Sequence, residues 1–279
     1  MTDTRVIDER LPVPVADDFA VHVRGLRMSF GGTEVLRGLD FDVRRGEVFC
    51  LLGPNGAGKT TTLEILEGFR APTGGQVRVL GLDPAAQPAR LRERAGIVLQ
   101  ECGFPRQVRV AELIDLWRSY YPNPRPLGEL LEVVELAEAR NTQVRRLSGG
   151  QRRRLDFALA LTGDPELIFL DEPTTGFDPD ARREAWTMIR GLRALGKTIL
   201  LTTHYMDEAQ QLADPCPAGK RGIGTFHPYV DKVAHEMQVP VAHQCPGQKA
   251  CLAENLEAVA GAEDEFARPR VVDHRFHDR

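Results

Sequence analysis

Two stretches of this chain combine residue types that do chemistry only in company. The first is Gly53-Pro54-Asn55-Gly56-Ala57-Gly58-Lys59-Thr60-Thr61. Glycines at this spacing let the backbone curl so that successive N–H groups converge on one anion, and a helix that starts there adds the positive end of its dipole. Lys59 supplies a compact positive charge for β- and γ-phosphates, and the Thr60 hydroxyl is a ligand for Mg²⁺. The second is Asp171-Glu172, two adjacent carboxylates that follow the apolar run Leu167-Ile168-Phe169-Leu170. At the end of a buried strand, Asp171 suits a hydrated Mg²⁺. Glu172, one residue on, points elsewhere and can polarise a water. Acidic residues after strands are otherwise helix caps. A phosphate loop in the same chain gives the pair a shared site in which to act.

These residues need strands and helices to bring them together, and the pattern of apolar residues supplies them. From Val21 to about Asp214 short apolar runs alternate with helical periodicity, which predicts an α/β fold with a largely parallel sheet. Val21 to Phe30 and Leu39 to Val43 predict strands of a β-rich lead-in. Glu47 to Leu52, continuously apolar from Val48, predicts a buried parallel strand leading into the glycine-rich loop. Gln76 to Leu80, Gly96 to Leu99, Leu167 to Leu170 and Thr198 to Leu201 are further strands. Between them, Val110, Leu113, Ile114, Trp117 and Tyr121, and then Leu127, Leu130, Leu131 and Val134, recur at helical spacing on either side of Pro122, Pro124 and Pro126. Residues of about 104 to 163 are therefore expected to form a helical insert.

Composition bounds the rest. An apolar fraction of 42%, a charged fraction of 27% and a net charge of −4 belong to a globular domain and argue against a basic nucleic-acid binder. The run Arg152 to Arg154 reads as a solvated helix face, since no aromatic is interleaved with it. No apolar run reaches the ~18 residues of a membrane span. Residues 1 to 18 are polar, with Pro12 and Pro14, and are expected to be a disordered lead rather than a signal peptide. Five cysteines without framework spacing predict reduced thiols in a cytosolic protein. Any contact with a membrane then comes through a partner.

Leu147-Ser148-Gly149-Gly150-Gln151 precedes a helical run through Arg154, Leu155, Ala158 and Leu161. Serine, two small glycines and a helix N-terminus make a second anion site. Here the sequence resembles the ABC ATPase family, whose signature is this pentapeptide. The resemblance implies a P-loop NTPase core of ABC type over about 19 to 214, with ATP and Mg²⁺ as ligands. It also implies a head-to-tail homodimer in which each signature serves the ATP of the other copy. Gln100 resembles the Q-loop glutamine, which in the family touches the metal and relays its state to a membrane partner. Gly176-Phe177-Asp178 resembles the D-loop, with Asp178 at the dimer contact. His204 resembles the switch histidine that contacts the γ-phosphate. Phe30 stands where the family places an aromatic on adenine; the usual residue is tyrosine, and phenylalanine keeps the π-face without the hydroxyl. Gly176-Phe177-Asp178-Pro179 and Thr203-His204-Tyr205-Met206-Asp207-Glu208-Ala209 are similar to the bacterial drug-export branch. The expected setting is the cytoplasmic face of the cell membrane, beside a separate transmembrane permease subunit.

The competing class is an ABC ATPase acting on ribosomes or DNA. Such proteins carry tandem nucleotide domains or long coiled coils, whereas this chain has one phosphate loop and no sustained heptads. After Asp214 the resemblance stops between adjacent residues, at Pro215-Cys216-Pro217. The family continues there with strand, turn and strand, and prolines argue against a central strand. Residues 215 to 279 are therefore expected to be an atypical, poorly packed segment, frame-shifted or naturally replaced. His227, His235, His243, Cys245 and Cys251 cluster there, but their spacing matches no standard zinc site.

Overall fold

The alternation of apolar residues along the strands decides the layering. In a computed structural model, which describes residues 18–98, 103, 105, 107–214 and 223–225, the chain opens with β1 (Phe19–Phe30) and β2 (Thr33–Arg44), then β3 (Val48–Leu52) and α1 (Lys59–Leu66). β4 (Gly74–Val79), α2 (Pro88–Arg92) and β5 (Ala95–Val98) follow. Next come α3 (Val110–Arg118), α4 (Leu127–Val133) and α5 (Gly149–Ala160), then β6 (Leu167–Leu170), α6 (Pro179–Ala194), β7 (Thr198–Thr203), α7 (Met206–Leu212) and β8 (Ile223–Thr225). The chain divides into two compact units, Met1–Lys232 and Val233–Arg279, and every described residue lies in the first.

Five strands form a parallel sheet in the order β5-β6-β7-β3-β8, and three form an antiparallel sheet in the order β2-β1-β4. The β-rich lead-in is thus completed by β4, which returns to pair with β1 at Val21↔Val79 and Val23↔Val77. All five residues of β3, all four of β6 and all six of β7 are buried. Successive side chains alternate between the faces of the sheet. Phe49, Leu51, Phe169 and Leu200 pack with Leu63, Ile65 and Leu66 of α1 and with the antiparallel sheet. Cys50, Leu52, Ile168, Leu170, Ile199 and Leu201 face the opposite way, onto α3, α4, α5 and α7.

Between β5 and β6 the described regular elements are helical. α3 buries Val110, Leu113 and Ile114, one stripe at helical spacing, and Glu112 closes its first turn by accepting from the Arg109 N–H at 2.8 Å. α6 starts at Asp178-Pro179, buries Ala185, Ile189 and Leu192, and stops before Gly196, whose φ of 79° is left-handed. Asp214 clasps the end of α7 to the start of β3: its N–H donates to the Val48 carbonyl at 3.1 Å, and its Oδ2 accepts from the Val48 N–H at 3.0 Å. Beyond it, the backbone of β8 pairs in parallel with β3 at Cys50↔Ile223 to Leu52↔Thr225. These three residues are the only described ones beyond Asp214. Residues 1–17, the two prolines after Asp214 and the histidine and cysteine cluster lie outside the described residues. No described helix is long and apolar enough to cross a membrane.

Candidate functional site

β3 ends at the glycine-rich loop because a buried strand must leave the sheet before α1 can begin. Gly56 and Gly58 take the turn with φ of 81° and 98°, a region costly for any side chain. At Gly58 a Cβ would also stand 2.7 Å from Leu36 Cδ2 and 3.2 Å from Val35 Cγ1, so the β2 strand closes over the loop from behind. Pro54, Asn55 and Gly56 are exposed, whereas Ala57 and Gly58 are buried. Lys59 is only 4% exposed, and its Nζ donates to the Gly53 carbonyl at 2.8 Å and the Pro54 carbonyl at 3.1 Å. The ammonium is thus held against the loop by two backbone carbonyl acceptors. Thr61 is partly buried on α1, and Thr60 is exposed at its start.

β6 carries the two carboxylates to the same place. Asp171 Oδ2 accepts from Thr60 Oγ1 at 3.2 Å, so the carboxylate and the hydroxyl face one point. An all-oxygen pair suits Mg²⁺, which keeps several waters and takes further ligands from phosphate. Among the described residues no group of three or more His, Cys, Asp or Glu is placed to hold a metal ion.

Glu172 has φ of 44°, unusual for a residue with a Cβ, and this turns its side chain away from the strand's alternation. Its Oε1 is 3.2 Å from Lys59 Nζ, and its Oε2 accepts from Thr175 Oγ1 at 3.0 Å. His204 Nδ1 lies 3.3 Å from the same Oε2, at ion-pair distance but without hydrogen-bond alignment. Burial alone would raise the Glu172 pKa. The hydrogen bonds from Lys59 and Thr175, with the charges of Lys59 and His204, outweigh burial and hold the carboxyl below its usual range. Glu172 is therefore ionised at neutral pH, as a base must be.

Nothing in the sequence points to Thr202. Its Oγ1 donates to Asp171 Oδ1 at 2.6 Å and accepts from the Glu172 N–H at 2.9 Å, fixing both carboxylate-bearing residues from the neighbouring strand. Threonines are common on strands, and nothing local distinguishes this one. Arg70 is equally silent in the sequence. Its guanidinium lies 4.9 Å from the centroid of the Phe30 ring, on a side chain that is 40% exposed at the end of β1.

The second anion motif begins α5. Ser148 Oγ accepts from the Gln151 N–H at 3.1 Å, and Gln151 Oε1 accepts from the Ser148 N–H at 3.1 Å, a reciprocal cap. Gln151, expected at ATP, therefore has a structural task at the helix start. Ser148 and Gly149 are exposed and Gly150 is half-buried. Asp178 is exposed and caps α6, accepting from the N–H groups of Asp180 at 3.0 Å and Ala181 at 2.9 Å. Gln100 lies outside the described residues.

The sequence model of the ABC transporter family matches residues 36–175. Nod factor export ATP-binding protein I of Cupriavidus pinatubonensis is 44% identical over 210 residues, 74% of this chain and 64% of that protein. Daunorubicin resistance ATP-binding protein DrrA3 of Streptomyces coeruleorubidus is 42% identical over 202 residues, 71% of this chain and 64% of that protein. The chain thus spans just under two thirds of the length of these relatives. Among solved structures, cbiO1 of Clostridium perfringens, part of the ABC transporter complex cbiONQ, superimposes with a TM-score of 0.63 at 27% identity, covering 70% of this chain and 83% of that one. A phosphate loop with its carboxylates, a capped signature helix and these likenesses agree, and the chain belongs to the ABC transporter family.

Proposed function

We propose that this chain binds and hydrolyses ATP as the motor subunit of an exporter-type ABC transporter. It works as a head-to-tail homodimer on the cytoplasmic face of the membrane, beside a separate transmembrane permease. The observation that carries the reading is the placement of Glu172 between Lys59, at 3.2 Å, and His204, at 3.3 Å, with Asp171 and Thr60 adjoining. The export named for the Nod factor and daunorubicin resistance relatives supports the direction of transport.

Lys59 gives up its carbonyl contacts to phosphate oxygens and stabilises the charge that builds there. Thr60 and Asp171, with Gln100, would hold Mg²⁺, which neutralises and orients the phosphates when bound. Ionised Glu172 orients a water whose oxygen attacks the γ-phosphorus as the bond to the β-phosphate bridging oxygen breaks. The carboxylate takes up the proton that the water releases. His204 approaches the same carboxylate and would contact the γ-phosphate. Ser148, with Gly149 and Gly150, closes the site of the second copy. Loss of the γ-phosphate then removes the anion that joins the two subunits.

Phosphate release by the purified chain tests the reading. Activity is expected to need Mg²⁺ and to rise more steeply than linearly with protein concentration while the chain is monomeric. A strictly linear dependence with a monomer present in ATP would overturn the shared site. We also read 19–214 as the nucleotide domain, with its helical subdomain at about 104–163, and 215–279 as a replaced or frame-shifted end. If the frame moved, the gene read in its other frames after the Asp214 codon should show the strand–turn–strand pattern of the family.

A further inference from the structure

Behind the candidate base lies a carboxylate that the mechanism above does not use. Glu208, on α7, is 1% exposed. Its Oε1 accepts from Thr174 Oγ1 at 2.9 Å and from the Trp186 indole Nε1 at 3.1 Å, while its Oε2 is buried with no hydrogen-bond partner. Burying a carboxylate with one oxygen unmatched costs free energy that an apolar side chain of the same volume avoids. Packing of α7 alone therefore does not account for a glutamate here.

The neighbours of its partners do. Thr174 is itself fully buried, and the next residue, Thr175, donates its hydroxyl to Glu172 Oε2 at 3.0 Å and its N–H to the Glu172 carbonyl at 3.2 Å. On the other side, Glu208 lies on α7, which begins two residues after His204, whose Nδ1 is 3.3 Å from that same Oε2. One buried carboxylate thus fastens the turn that carries Thr175 to the helix that follows His204. Trp186 ties both to α6. A separate contact holds α7 against α6 nearer the surface: the Arg182 guanidinium lies 4.3 Å from the Tyr205 ring centroid and 3.3 Å from Asp207 Oδ2.

We propose that Glu208 is a positioning residue for hydrolysis, holding Thr175 and His204 in fixed relation to Glu172. The inference rests on the ATPase reading. Its effect should fall on turnover and not on nucleotide affinity, because none of its contacts belongs to the phosphate loop. Small displacements of a positioned base are costly in rate.

Steady-state ATP hydrolysis by the full chain tests it. Glu208→Ala should lower kcat by on the order of tenfold, with KM for ATP within about twofold of wild type. Glu208→Gln should recover most of that loss, since its amide oxygen accepts both hydrogen bonds. A folded Glu208→Ala variant with kcat within about twofold of wild type would overturn the proposal. So would a Gln variant no better than the Ala variant. If Glu208→Ala does not fold, Thr174→Val removes a single donor and carries the same test, a fall in kcat at unchanged KM supporting the role and an unchanged kcat refuting it. A wild-type chain without turnover would instead sink the ATPase reading. The His204 ring cross-peak, assigned by its loss in His204→Ala, then decides for Glu208: a shift in the Glu208→Ala variant supports the tie, and an unmoved peak rejects it.

Discussion

The loop before α1 and the Ser148-Gly149-Gly150 turn before α5 are built from similar residues, yet the chain treats them differently. In the first, Lys59 is buried under its own loop, and Asp171, Glu172 and Thr202 close in from β6 and β7. Gly58 is there because its own fold leaves no room: a Cβ would stand 2.7 Å from Leu36. In the second, Ser148 and Gly149 face outward, and a Cβ on Gly149 would meet nothing within 4 Å. Glycine in a helix lowers its stability relative to alanine, so neither conformation nor space within the chain calls for Gly149. The fold of the chain demands one of these glycines and does not demand the other.

The sharpest way to break that comparison is to disable the two sites in separate chains. Lys59→Ala and Ser148→Arg are each expected to abolish turnover, the first by losing productive nucleotide binding and the second while keeping ATP bound. An equal mixture should regain about a quarter of wild-type activity, because half of the dimers then hold one intact composite site. Phosphate release from the mixture that never exceeds the sum of the separate variants would mean that each chain acts alone.

Glu172→Gln is expected to lower turnover by on the order of 10²-fold while keeping ATP affinity. It should also accumulate as an ATP-bound dimer on gel filtration, since the contacts of both anion sites remain. Near-normal turnover would take the role of base away from Glu172.

The two glycines themselves give a test in stability. Gly58→Ala is expected to cost roughly 1–3 kcal/mol in urea unfolding, from a strained positive φ and the contact with Leu36. Gly149→Ala should leave stability unchanged or raise it by up to about 1 kcal/mol, yet still reduce ATP hydrolysis. A Gly149→Ala chain with full activity would show that the exposed glycine serves nothing outside its own helix.

The helices that follow the loops differ too. α1 is capped by Glu67, 5% exposed, whose carboxyl is pushed up from 4.5 to about 7 by burial and then by the charges of Asp171 and Glu64. On α5 burial pushes Asp156 to about 6, but Arg153 at 3.4 Å offsets part of it. Between pH 4.5 and about 7 folded Glu67 keeps a proton that the unfolded chain has released, so its contribution to stability falls as pH rises through that window. Glu67→Gln should therefore stabilise the nucleotide- and metal-free chain at pH 8, by on the order of 2–3 kcal/mol, with most of the gain gone at pH 5. Equal gains at both pH values in urea unfolding would place the proton elsewhere.

Much of this site could be read from the sequence because its parts are local. The glycine-rich loop, the acidic pair after an apolar run and the Ser148–Gln151 helix start each lie within a few residues, and the strand pattern predicted their elements. Other features depend on contacts between distant residues. β4 completes the lead-in sheet only by returning to β1, across the whole of β2, β3 and α1, to make the Val23↔Val77 pair. What the sequence determined by itself was the set of reactive residues, their strand or helix, and the family they belong to, since short-range spacing fixes which backbone groups and side chains share a turn. What the tertiary structure decided was the company they keep. Thr202 bridging Asp171 and Glu172, and Glu208 tied to Thr174 and Trp186, arise only when strands and helices 22 to 34 residues apart come to rest side by side.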